Sequence, residues 1–117
     1  MNMTVYKIWQ INLTDEEIVI INGMGHGAVP KNVLRLRVDI ADDKQTLVAE
    51  AFEKGYYEHV ANITADSLEG VFRVGNIGPE ENIERFLPMH SVSVGDVVED
   101  KNGVRHVVAD FGFEEII

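Results

Sequence analysis

The sequence predicts an α+β domain, with a mixed or antiparallel sheet of about five strands, roughly two to four short helices on one face and a C-terminal β-hairpin. Three observations predict it. Val5 to Leu13 is rich in β-branched and aromatic residues, as a strand requires. Leu47 with Ala51, and Val48 with Phe52, stand four apart and make a helical stripe, as do Leu68, Val71 and Phe72. Asn102-Gly103 lies between two valine-rich segments and suits a tight reversal at positive φ.

Val5, Trp9, Ile11 and Leu13 share one parity of the first strand, although Lys7 interrupts it. Thr14-Asp15-Glu16-Glu17 is a capping box: the Thr14 hydroxyl accepts from the Glu17 amide while the Glu17 carboxylate reaches back. A helix is predicted over 15–22, stopping at Gly23. Gly23 to Gly27, closed by Pro30, reads as a bent connector, with an anion nest or ligand lid as the functional alternative. The lysine and following helix of a nucleotide-phosphate loop are missing.

Leu34, Leu36, Val38 and Ile40 alternate with Arg35, Arg37 and Asp39, which predicts a half-buried strand. Asp42 or Asp43 caps a helix over 44–54, ended by Gly55, and residues 56–63 form a strand carrying His59. Thr64 or Asp66 caps a third helix, which Gly75-Asn76 ends. Gly78-Pro79-Glu80-Glu81 starts a fourth, short helix with Ile83, Phe86 and Leu87 on its apolar side, and Pro88 stops it. The terminal hairpin follows, with Ser93 and Asp96 capping the Val94-Gly95 turn. Trp9, Tyr56, Tyr57, Phe72, Phe86, Phe111 and Phe113 are the expected aromatic anchors of the core.

A chain of 117 residues is expected to be one domain. The absence of cysteine excludes disulfides and thiolate metal sites and leaves the redox compartment open. Neither a signal-peptide layout nor a membrane-length apolar run is visible, so a soluble cytoplasmic protein is expected. The formal charge is −10, with the second half the more acidic. Such a surface repels phosphate backbones and makes nucleic acid a poor partner; solubility accounts for it, with steering toward a basic partner or imitation of DNA as the functional alternatives.

No reaction chemistry stands out. His26, His59, His90 and His106 lack zinc-ligand spacing. Ser91 and Ser93 flank no nucleophile motif, and an enzyme would require His90, Ser91 and an acid to converge. The expectation is therefore no catalytic residue, no metal site and no cofactor.

Tyr57 to Val60, Ser67-Leu68-Glu69-Gly70-Val71-Phe72 with Asn76, the block from His90 to Val98, and Phe111-Gly112-Phe113 together resemble the YodL-like domain. The resemblance covers about residues 56–117 and implies an accessory or modulator protein of phages and other mobile elements, without known catalytic activity. The Ser93-to-Val98 turn and strand is also similar to small RNA-binding barrels of the ASCH and PUA type, against which the acidity argues. The leading expectation is a small acidic, non-enzymatic interaction protein, encoded by a phage or mobile element, that binds a host or phage protein. Arg35, Arg37, Glu80, Glu81 and Glu84 are the candidate partner-binding residues. The alternative is a nucleic-acid or nucleotide-binding module using Arg35, Arg37 and the Gly23–Gly27 loop.

Overall fold

β1 (Thr4–Ile11) lies near the middle of a six-stranded antiparallel sheet, in a computed structural model that describes residues 3–116. After it come α1 (Asp15–Met24), α2 (Pro30–Ile40), α3 (Gln45–Glu53), β2 (Tyr57–Ala65) and α4 (Leu68–Asn76). The chain ends in β3 (Ile83–Arg85), β4 (Val97–Glu99), β5 (Arg105–Val108) and β6 (Phe113–Ile116). The strand order is β3-β2-β1-β4-β5-β6, so the expected α+β class holds with one more strand than expected. The C-terminal hairpin turns at Asp100–Gly103, where only Gly103 takes positive φ (81°). A second reversal follows, with Ala109 N–H donating to Gly112 O at 2.9 Å and Gly112 at φ 78°. This adds β6 and makes a three-stranded meander.

The helices do not gather on one face. Val97 and Val98 are neighbours in β4, so they point to opposite sides, and both are fully buried. Val98 packs with Tyr6, Ile8, Ile63, Val71, Val74 and Val92 under α4. Val97 packs with Ile11, Leu34, Val38, Val48 and Val107 under α2 and α3. Both faces are covered because the two apolar stripes enter from different ends of the sheet's connections: α2 and α3 precede β2, and α4 follows it.

Leu34 to Ile40 belongs to a helix, not a strand. Leu34 and Val38 satisfy the four-residue helical spacing as well as the alternating one. Pro30 sits in the first turn, where its missing N–H costs no hydrogen bond. Leu34 and Val38 are buried and Ile40 is 83% exposed, so the expected alternating face does not exist.

The fourth helix is also absent: one 3-10 turn at Glu80–Asn82 gives way to β3. There the backbone pairs with Ala61–Ile63 and covers an edge of β2 that a helix would leave open. The N–H groups of Phe86 and Leu87 both donate to Val60 O, at 2.8 and 3.2 Å.

Helix starts follow local chemistry. The Thr14 box forms in both directions, at 3.1 and 2.8 Å. α1 continues past Gly23 and ends at Gly25, φ 95°. Asp43 accepts from Gln45 N–H at 3.0 Å at the start of α3. Ser67, rather than Thr64 or Asp66, caps α4 by accepting from Gly70 N–H at 3.0 Å, since β2 extends through Ala65 and takes Thr64 with it. Gly75 lets α4 press on the Val92 segment; a Cβ there would collide with Val92 Cγ2.

Of the expected aromatic anchors, Tyr57 is buried and stacks on Phe52, whose ring meets Trp9 edge-on at 5.2 Å. Phe72 (41% exposed), Phe86 (50%) and Phe111 (98%) are not core residues. Phe111 forms the tip of a turn, and Phe86 lies beyond the short β3.

Candidate functional site

Histidine and carboxylate meet at two places, His106 with Asp100 in the terminal hairpin and His90 with Asp96 in the segment 88–96, and only the second adjoins a cleft. His90 Nε2 lies 3.3 Å from Asp96 Oδ1. The other oxygen, Asp96 Oδ2, accepts from Gln10 Nε2 and from Ser93 N–H, each at 3.0 Å. Gln10 in turn grips the His90 backbone, donating to its carbonyl at 2.9 Å and accepting from its N–H at 3.2 Å. The Ser93–Asp96 turn closes by Asp96 N–H donating to Ser93 O at 3.0 Å, with Gly95 at φ 92° in its third position. A Cβ on Gly95 would sit 2.7 Å from Asp39 Oδ1. The Tyr57 hydroxyl donates to Gly95 O at 2.6 Å.

The electrostatics fit a latch. Hydrogen bonding to Asp96 raises the His90 imidazole above its ordinary value. Burial raises Asp96, against the opposing pull of His90, Ser93 and Gln10. Burial also raises Asp39, which Arg35 opposes. Beside these groups lies a cleft of about 60 Å³, lined also by Ile11, Val38 and Val94. Ligand cavities usually run from roughly 300 to 1,000 Å³, so this cleft has room for a few waters only. Ser91 does not line it and is exposed, whereas Ser93 does.

The expected partner-binding residues do not form one surface. Arg35 and Arg37 are two apart on a helix and so point roughly 200° apart. Arg35 is half-buried and donates to Asn32 Oδ1 at 3.2 and 2.9 Å, while Arg37 is exposed. Their shared polar face depended on the strand that is a helix. Gly23 lies inside α1, and His26–Ala28 forms a 3-10 turn, so Gly23–Gly27 is not an open loop. Glu80 pairs with Arg85 at 2.6 and 3.2 Å, while Glu81 is exposed at the same corner and Glu84 is exposed on β3. The remaining imidazoles have protein neighbours: Asn32 for His26, Asn62 for His59 and Asp100 for His106.

Two apolar surfaces were not anticipated. α1 buries only Ile21, leaving Ile18 and Ile20 each 42%, Val19 70% and Met24 78% exposed. Ile18 to Ile21 span a whole turn, so the middle of α1 is apolar on every side, a pattern normal for a buried helix. That run was visible in the sequence as the signal. The second surface is a groove of about 280 Å³ between α4 and the β5–β6 turn, floored by Phe72, Val108 and Phe113 and flanked by Glu69 and Asp110. Burial and the carboxylates of Asp100, Asp66 and Glu69 push the nearby Tyr6 phenol up.

Among the described residues, no group of three or more histidines or carboxylates is placed to hold a metal ion. No helix there is long and apolar enough to cross a membrane. Comparison with protein-family models, with curated proteins and with solved structures gives no match to the chain.

Proposed function

We propose that this chain is a small acidic, non-enzymatic interaction protein that inserts α1 into an apolar groove of a partner protein. The exposed apolar side chains of Ile18, Val19, Ile20 and Met24 on α1 carry the reading. A helix that exposes apolar side chains around most of its girth, with only Ile21 turned to the fold, suits a groove that grips several sides better than a flat face that touches one stripe. The acidic first turn (Asp15, Glu16, Glu17) and the formal charge of −10 favour a basic rim on that groove. The YodL-like resemblance implies the same role: an accessory or modulator protein of a phage or mobile element, acting on a host or phage protein in the cytoplasm. The separation of Arg35 from Arg37 leaves the nucleic-acid alternative without a joint basic surface.

The test is capture from nuclease-treated host lysate, comparing the parent chain with a Val19→Lys/Met24→Lys variant of matched melting temperature. A protein retained by the parent and lost by the variant is expected. Equal retention by both, or retention that nuclease abolishes, would overturn the proposal.

A further inference from the structure

We infer that the groove between α4 and the β5–β6 turn is a second docking site, for a segment of a partner protein that presents one bulky apolar side chain beside lysine or arginine. It goes beyond the role assigned to α1 and stands without it. The floor is apolar and open: Val108 is buried at its base, Phe113 is half-buried, and Phe72 is 41% exposed along its α4 wall. The volume of about 280 Å³ accommodates a single large side chain rather than a cofactor.

Charge selects the occupant. Both ionisable residues lining the groove, Glu69 and Asp110, are acidic and exposed, and neither has an ion-pair partner among the described residues. An incoming lysine or arginine therefore gains attraction without breaking a pair. The obvious competitor is a second copy of this chain offering Phe111, which is 98% exposed at the adjacent turn. Phe111 follows Asp110 and lies close to Glu114 and Glu115. Its insertion would set carboxylates against carboxylates, which is unfavourable and grows worse as salt is lowered. A basic segment meets the opposite situation.

The experiment selects a random peptide library against the full-length chain, then measures binding of the enriched peptide by fluorescence anisotropy. Expected is a consensus with a bulky apolar residue next to lysine or arginine, and binding that weakens with added salt. Glu69→Lys with Asp110→Lys is expected to weaken it by roughly tenfold or more. Phe72→Ser should weaken it too, whereas Val19→Lys on α1 should leave it unchanged. Both charge reversals are at exposed positions, and melting curves matched to the parent are the check that the fold survives. The inference is overturned if no peptide is enriched, if the consensus is acidic or uncharged, or if the groove variants bind equally well. Concentration-dependent self-association that Phe72→Ser abolishes would also overturn it, by giving the groove to a second copy. Loss of binding on Val19→Lys alone would count against the groove and for α1.

Discussion

The His90–Asp96 latch and α1 are opposites in how they treat their surroundings. In the latch, Asp96, Gln10 and the backbone of His90 and Ser93 satisfy one another, and little hydrogen-bonding capacity is left for a ligand. Lys44 repeats the pattern beneath α2: at 1% exposure its ammonium donates to the carbonyls of Val38, Asp39 and Ala41 at 2.6, 3.0 and 2.8 Å. It satisfies orphan acceptors at a helix C-terminus and meets the negative end of the helix dipole. α1 has the reverse arrangement, with its polar ends capped and its apolar middle uncovered. The Asp96 and Lys44 clusters close the fold on itself, whereas α1 and the α4 groove leave apolar, acid-rimmed surface for others.

The sharpest way to break that contrast is Lys44→Met. It leaves the three carbonyls without their shared donor, and chemical denaturation should show a loss of roughly 3 kcal/mol. A change near zero would mean that water satisfies them equally well.

Asp96→Ala removes the common acceptor of Gln10 and Ser93 N–H and should cost about 2 kcal/mol by the same measurement. Added to Gln10→Ala, it should cost less than the two separate losses combined, because both act on one network.

A smaller effect is set by pH. His90 titrates above its ordinary 6.5 in the folded state, so its contribution is complete below that value and fades as pH rises through the raised one. Melting temperature should therefore rise as pH falls from about 8 to about 6, by an amount equivalent to at most about 1 kcal/mol, since His90 is half exposed. His90→Asn should flatten this part of the pH profile. Upward-shifted Asp39 and Asp96 act in the same sense at lower pH, while downward-shifted Glu17 and Glu80 oppose them as pH falls further.

At the small end, Val19→Lys with Met24→Lys should change stability by no more than about 0.5 kcal/mol per site, because neither side chain is packed. A large destabilisation would show that α1 is covered in solution and would remove the contrast with the latch.

Much of the fold was legible because its signals are local. The Thr14–Glu17 box, the Leu47–Phe52 stripe and the Gly103 turn each depend on residues a few positions apart, and each appears where those residues stand. The segment 34–40 was not legible, since its apolar residues fit both periods and only burial of Leu34 and Val38 with Ile40 left out distinguishes them. The candidate surfaces were less legible still. Arg35 and Arg37 looked like one face only while their segment looked like a strand, and the groove joins residues from α4 with a turn near the end of the chain.

By itself, then, the sequence determined the Thr14 helix start, the Gly103 turn, the acidic charge and the α+β class, because these rest on composition and on hydrogen bonds and steric limits between near neighbours. Tertiary structure alone decided that the helices cover both faces, that Glu80–Arg85 closes an edge instead of extending a helix, and that Gln10 meets Asp96. Those outcomes depend on which surfaces compete for the same partners across the sheet, and that competition exists only once the strands have paired.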